Sequence, residues 1–122
     1  MRTKPWEYIP CPELHVFIDS EELKKFANEK YQCDVGIINK DGFTSSLVRN
    51  MGELACLVYI KHQKYGKGQL AGLVAHEATH VSQEFFESIG EDKPSSEMQA
   101  YYIQVFTICI IRAYKKLAKG KK

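Results

Sequence analysis

His76, Glu77 and His80 are the residues of this chain whose types and spacing could carry chemistry on their own. Four residues of an α-helix advance about 6 Å and nearly complete one turn, so His76 and His80 would project from one face and could bind a single ion. Glu77 would lie about 100° further round the helix, beside that ion, where a carboxylate can deprotonate a metal-bound water. The pattern therefore predicts a zinc site that activates water; the simpler interpretation is a polar helix face.

The residues around this motif predict the helix that it needs. Apolar side chains recur at helical spacing through residues 68–89, and Gly90 is a typical helix stop. Residues 71–75 are small or apolar, which favours a helix packed tightly in the middle of the domain. This context favours the metal site over the polar helix face.

A catalytic zinc usually takes three protein ligands and one water, so the two histidines need a third partner. Glu84 and Glu87 would share the face of His80 but lie roughly 6 and 10 Å further along the axis, beyond a shared ion. Glu91 and Asp92 directly follow the helix stop, and one or two extended residues are too short to bring the chain back along the helix to the histidines. The longer connection to Glu97 can span on the order of 20 Å and reverse direction. Glu97 is therefore the expected third ligand; the alternative is a first-turn carboxylate favoured by the helix dipole.

A resemblance to known proteins rests on the same residues. The residues three and six positions after His80 are not the glycine and histidine that a metzincin requires. His76-Glu77-x-x-His80 with a downstream glutamate resembles the gluzincin branch of zinc metallopeptidases. More narrowly, HEATHVSQEFFESIGEDKPSSEMQAYYIQ resembles very small metallopeptidases encoded by tailed bacteriophages and prophages, over residues 70–104 and only in outline before them. The resemblance implies His76, His80 and Glu97 as zinc ligands and Glu77 as general base and acid in peptide-bond hydrolysis.

A peptidase also needs a hydrogen-bond donor for the oxyanion and an extended segment that aligns the substrate. Tyr101 and Tyr102 follow the expected third ligand closely and could supply the donor, although packing is the simpler interpretation of both. His62 and Tyr65 are weaker candidates. The apolar residues 54–61 precede the metal helix directly and are the expected substrate-aligning strand.

The order of the expected elements predicts an α+β fold, in which a small antiparallel or mixed β-sheet packs against the motif helix and a buried C-terminal helix. The resemblance implies that this is a minimal zincin-like domain, with the motif helix as its active-site helix. Two of the strands are expected to form a hairpin around Asp41-Gly42. The expected elements are strand 14–18, helix 21–30 capped by Asp19, hairpin strands 33–38 and 43–48, a turn at 50–52, strand 54–61, helix 68–89, and a final helix that Ser96 caps and that is apolar nearly all round over 100–111.

Length and composition indicate one ordinary globular domain over residues 1–122. The chain is 44% hydrophobic and 26% charged, unlike a disordered protein. No uninterrupted apolar segment predicts a signal peptide or a membrane span. The four cysteines lack C-x-x-C spacing and are expected to be reduced core thiols, which favours the cytoplasm, or the host cytoplasm for a phage protein.

The charge pattern bears on partners. The net charge is +2, and lysines gather in residues 115–122, which we interpret as a solvated helix end and basic tail because no aromatic residues interleave with them. We therefore expect a protein or peptide substrate, no nucleic acid and no membrane, with the oligomeric state left open. Two other hypotheses are a zinc-binding interaction protein without significant proteolysis and a small nucleic-acid binder that uses the lysines.

Overall fold

A computed structural model describes residues 1–3, 11–48 and 54–121 of the chain. In these ranges the protein forms one mixed sheet and three helices, which confirms the α+β prediction and its mixed-sheet form. The strands are β1 (Arg2–Thr3), β2 (Glu13–Phe17), β3 (Gly42–Val48) and β4 (Leu54–Ile60); the helices are α1 (Ser20–Tyr31), α2 (Gln69–Ser88) and α3 (Ser96–Lys119).

The strand order in the sheet is β1-β2-β4-β3. β2 and β4 run parallel, so the chain must cross between them, and α1 forms part of that crossover. β1 pairs antiparallel with β2, and β3 pairs antiparallel with β4. β4 has a neighbour on each side and all seven of its residues are buried, as its uninterrupted apolar sequence predicts. Within the described ranges, β3 is paired on one side only.

The two faces of the sheet carry different helices because side chains alternate along each strand. Cys56 and Val58 of β4 face the main core under α2 and α3. Leu57 and Tyr59 face the opposite side, where they pack with Leu23 of α1. The two C-terminal helices thus share one face of the sheet, and α1 covers the other.

Local signals account well for where the helices begin. Asp19 caps α1 as expected, its carboxylate accepting a hydrogen bond of 2.9 Å from the backbone N–H of Glu21. α3 begins at Ser96, but its cap is Ser95, whose hydroxyl oxygen accepts a hydrogen bond of 3.1 Å from the N–H of Met98. The expected cap at Ser96 is therefore wrong by one residue.

The expectation that α3 is buried nearly all round is also wrong. Tyr102, Phe106 and Ile110 pack into the core, but Tyr101 is 50% exposed and Ile108 is 40% exposed. The reason is that α2 and the sheet pack against one side of α3, which leaves Tyr101 and Ile108 partly exposed.

The predicted hairpin between residues 33–38 and 43–48 is wrong, because the structure pairs the second segment with β4. Residues 33–38 form no strand. Gly36 adopts a left-handed φ of 75°, and its N–H donates to the Asp34 carboxylate at 2.9 Å, which turns the chain out of an extended course. The bend at Asp41-Gly42 instead starts β3, and the Asp41 carbonyl accepts a hydrogen bond from Lys61 that continues the ladder with β4. The predicted turn at 50–52 lies outside the described residues.

Several smaller expectations concern the chain end and the cysteines. α3 extends to Lys119, so much of the expected basic tail is helical, and Lys122 lies outside the described residues. Cys56 is fully buried and burial raises the pKa of its thiol to about 12. All four cysteines lie in the described ranges, and they form no disulfide. None of the helices in the described ranges is both long and apolar enough to cross a membrane.

Candidate metal centre and its glutamate

His76 and His80 meet on the outer face of α2. Both side chains are exposed, and their Nε2 atoms are 3.2 Å apart. Two imidazole nitrogens bound tetrahedrally to one zinc at about 2.0–2.1 Å would be separated by about 3.3 Å. This separation is a hydrogen-bond distance between two imidazole nitrogens, and it also fits a shared zinc ion; the helical spacing of the two histidines is the cause.

Glu77 points to a different side of α2, towards β3, the last strand of the sheet in the described ranges. Its side chain is buried, with 3% exposure, and its Oε1 accepts a hydrogen bond of 2.7 Å from the Thr44 hydroxyl. The same hydroxyl lies 3.5 Å from the Glu77 backbone carbonyl oxygen. A buried carboxyl group needs such a partner, so Thr44 determines where the carboxyl group of Glu77 lies.

Gly42 allows β3 to approach Glu77 closely. A Cβ atom at this position would lie 2.7 Å from Glu77 Oε2 and 2.7 Å from Leu73 Cδ1, closer than such atoms pack. The absence of a side chain therefore leaves room for the carboxyl group between the strand and the helix. Thr44 and Gly42 together form its pocket.

Sequence reasoning missed this contribution of β3, although the strand carries a readable signal. Gly42, Thr44 and Ser46 alternate along β3 and face α2, where the Ser46 hydroxyl donates to Glu84 Oε2 at 2.9 Å. Phe43 and Leu47 face the other core. In β3, the alternation of these small and hydroxyl-bearing residues is the sequence signal for the face that lies against the polar side chains of α2.

The structure does not bring Glu97 together with the two histidines as a metal-binding group. Glu97 is an exposed residue in the first turn of α3. Within the described part of the chain, no three His, Cys, Asp or Glu side chains are grouped as ligands of one ion. The role of Glu97 as third ligand stays a prediction, whereas the pairing of the two histidines is present.

The outer face of α2 is more open than residues 71–75 suggested. Val74 is fully buried, but Ala71 and Gly72 are exposed, and a Cβ at Gly72 would have no atom within 4 Å. The sheet and α3 cover the other sides of α2, so the apolar sequence before the motif does not make the helix central. The face that bears the histidines is accessible to a large ligand.

The residues considered as donors to the oxyanion differ in their exposure to solvent. Tyr102 is a core residue whose ring stacks on Phe85 at 5.4 Å, and burial raises the pKa of its hydroxyl. Tyr101 is half exposed. The Tyr65 hydroxyl donates to the carbonyl oxygen of Lys61, and the His62 and Tyr65 rings both contact Tyr114. The packing interpretation of Tyr102 therefore agrees with its position.

β4 is not the strand that could align a substrate, contrary to the expectation for residues 54–61. Its backbone is already paired with β2 and β3. β3 lies beside Glu77 and has one neighbour in the described ranges, so its second edge suits an extended peptide better.

Comparison of the chain with protein-family models, with curated proteins and with solved structures finds no match. The chemical interpretation of the site therefore rests on its own geometry: the paired histidines, the buried glutamate that follows His76 in the chain, and the strand that holds this glutamate.

Proposed function

We propose that the protein is a zinc-dependent metallopeptidase of the gluzincin type that hydrolyses a peptide bond in a protein or peptide substrate. The observation that carries this proposal is the 3.2 Å separation of the His76 and His80 Nε2 atoms. Glu77 follows His76 in the same helix, with its buried carboxyl group held on another side by Thr44. The cytoplasm is the proposed location, because the cysteine spacing is typical of reduced thiols.

Each residue has a role in this proposal. His76 and His80 would hold the ion, and Glu97 would complete the ligand set as third ligand. Zinc bound there would polarise the substrate carbonyl and lower the pKa of a water molecule towards about 7. Glu77 accepts the proton of the attacking water and then protonates the leaving amine. Thr44 holds the Glu77 carboxyl group in place while it does so.

The substrate is placed by β3 in this proposal. An extended peptide that pairs with the second edge of β3 would run past Glu77, because Thr44 of this strand contacts its carboxyl group directly. The exposed histidines and the exposed Ala71 and Gly72 leave space for it above α2. A substrate aligned in this way would have its backbone near both the ion and the general base.

A second candidate is a zinc-binding interaction protein with this site but without significant proteolysis. Two observations favour it: the histidine face is open, and Glu97 is not grouped with the histidines. It shares the zinc ligands with the first candidate and differs only in the absence of hydrolysis.

Zinc content and peptide cleavage test the proposal together. We expect the reconstituted protein to bind one zinc and cleave members of a peptide library. His80→Ala should lose the metal, whereas Glu77→Gln should keep it and lose cleavage. His62→Ala is the matched control for metal binding, because His62 lies outside the pair, and Glu29→Gln, an exposed carboxylate of α1, is the matched control for cleavage. A protein without zinc after reconstitution, or undiminished cleavage by Glu77→Gln, contradicts the peptidase. Zinc binding without any cleavage favours the interaction protein.

A further inference from the structure

A groove of about 400 Å³ lies between the second half of α2, the loop that follows it and the first turns of α3. Its apolar wall consists of Phe86, Pro94 and Ile103. The volume is in the range of sites that bind small ligands or single side chains.

The groove adjoins the face of α2 that carries the histidines. Thr79 and Gln83 both line it, and His80 lies between them in the sequence. At 100° per residue, Gln83 has nearly the azimuth of His76 and lies about 10 Å further along the axis. It lies only about 4.5 Å beyond His80 in that direction. A peptide bound at the histidines could therefore place a neighbouring side chain in the groove.

The charges at the groove have one sign. Glu87, Glu91 and Asp92 line it, and none of its described lining residues is basic; Lys93 belongs to the same loop but does not line it. These carboxylates are not grouped as ligands of one ion. Carboxylates that are spaced apart above an apolar wall suit a side chain with an apolar stem and a cationic end better than they suit a metal ion.

Ser82 is an independent sign of a ligand. It lines the groove and is 2% exposed, yet its hydroxyl makes no hydrogen bond to any described residue. In the same helix, the hydroxyl of Thr79 donates to the Ala75 carbonyl at 2.8 Å. The Ser82 oxygen is not among the fully buried, unpartnered side-chain atoms of the described residues, so the small exposed part of this residue opens onto the groove that it lines. The hydroxyl is therefore available to a group that enters the groove.

We propose that this groove binds the side chain of an arginine or lysine of the peptide substrate and so selects substrates with a basic residue near the cleaved bond. The aliphatic stem packs on Phe86 and Ile103, and the charged end lies among Glu87, Glu91 and Asp92. The inference rests on the proposed peptide substrate, but binding in the groove does not depend on hydrolysis.

Binding of labelled peptides tests the inference without relying on activity. The probes are two fluorescein-labelled peptides that differ only by arginine or its uncharged analogue citrulline, and their dissociation constants are measured by fluorescence anisotropy at low ionic strength. The protein is zinc-loaded Glu77→Gln, with the wild-type apoprotein as a second sample. We expect the arginine peptide to bind roughly tenfold more tightly, because each exposed carboxylate contributes about twofold.

Variants locate the preference in the groove. Combined Glu87→Gln, Glu91→Gln and Asp92→Asn should abolish it, whereas Glu29→Gln, an exposed carboxylate of α1 outside the groove, should leave it unchanged. Ser82→Ala should weaken binding without lowering the melting temperature, because the hydroxyl has no partner among the described residues.

The outcomes separate this inference from the proposed function. Equal binding of the two peptides, no binding of either, or a preference that survives in the triple variant overturns the inference. Cleavage without a preference for basic residues overturns it but leaves the peptidase intact. A charge preference in binding, together with no cleavage by the zinc-loaded wild-type protein, supports the groove and contradicts the peptidase.

Discussion

The hydrogen bond from Thr44 to Glu77 gives the sharpest test of how this site is held together. Thr44→Val removes the hydroxyl and keeps the β-branched shape that suits a strand. The lost bond is 2.7 Å long and its acceptor belongs to a side chain with only 3% exposure, so water replaces it poorly. Hydrogen bonds to charged groups contribute about 1.5–3 kcal/mol. We therefore expect the free energy of unfolding to fall by about 2 kcal/mol.

Urea unfolding followed by circular dichroism measures this change. Thr44→Ser keeps the hydroxyl and should recover most of the lost free energy. Ser46→Ala is the matched control on the same strand: it removes a hydroxyl that donates to the half-buried Glu84 at 2.9 Å, and we expect a loss of about 1 kcal/mol or less. A double-mutant cycle of Thr44→Val with Glu77→Gln isolates the coupling between the two side chains.

The same substitution separates positioning from metal binding. If Glu77 is the general base, Thr44→Val should lower kcat more than it changes KM, because the carboxyl group loses its fixed position. Zinc content should stay constant, since the described contacts of Thr44 reach Glu77 and not the histidines. Equal stability of wild type and Thr44→Val within about 0.5 kcal/mol, or equal losses for valine and serine, would refute the reasoning.

Two further predictions concern the approach of β3 and the pH dependence of stability. Gly42→Ala should displace the Glu77 carboxyl group, because the new Cβ would lie 2.7 Å from Oε2, and should lower the free energy of unfolding in urea by about 1 kcal/mol. Gly72→Ala is the control: a Cβ there meets no atom within 4 Å, so this substitution should stabilise α2. Equal effects of the two substitutions would contradict this account. Burial lowers the pKa of His15, and the 2.7 Å contact with Glu13 only partly offsets this. Because the fold favours the neutral imidazole, its contribution to stability is complete above the unfolded pKa of about 6.5 and is lost as the pH falls from there through the folded pKa. Urea midpoints between pH 5 and 7.5 should therefore show a slope that His15→Gln reduces, and an unchanged slope in that variant would exclude His15 as its source.

The elements that follow from local chemistry could be predicted from the chain alone. The helix of the His76 and His80 motif was expected over 68–89 and is observed at Gln69–Ser88, since apolar periodicity and the glycines at its ends act over a few residues. The Asp19 cap depends on a side chain and a backbone N–H two residues apart. Such signals need no knowledge of distant neighbours.

The pairing of the strands could not be predicted in the same way. Residues 43–48 had two apolar candidates for a partner, and the nearer one in sequence was the wrong one. Leu54–Ile60 pairs with them because this strand also pairs with β2 and has both of its faces buried, whereas the segment around Gly36 turns and leaves Ile37 88% exposed. The pairing partner of residues 43–48 thus depends on how the whole sheet is buried, and this cannot be predicted from a few neighbouring residues.

The same division holds within the site. Spacing along one helix was sufficient to bring His76 and His80 together, because four residues return the helix to the same face. The burial of Glu77 under Gly42 and Thr44 and the groove beside the histidines depend on segments that meet only in the folded chain. Local periodicity thus determines the pair of nitrogen atoms that can hold an ion, and tertiary packing determines what surrounds it.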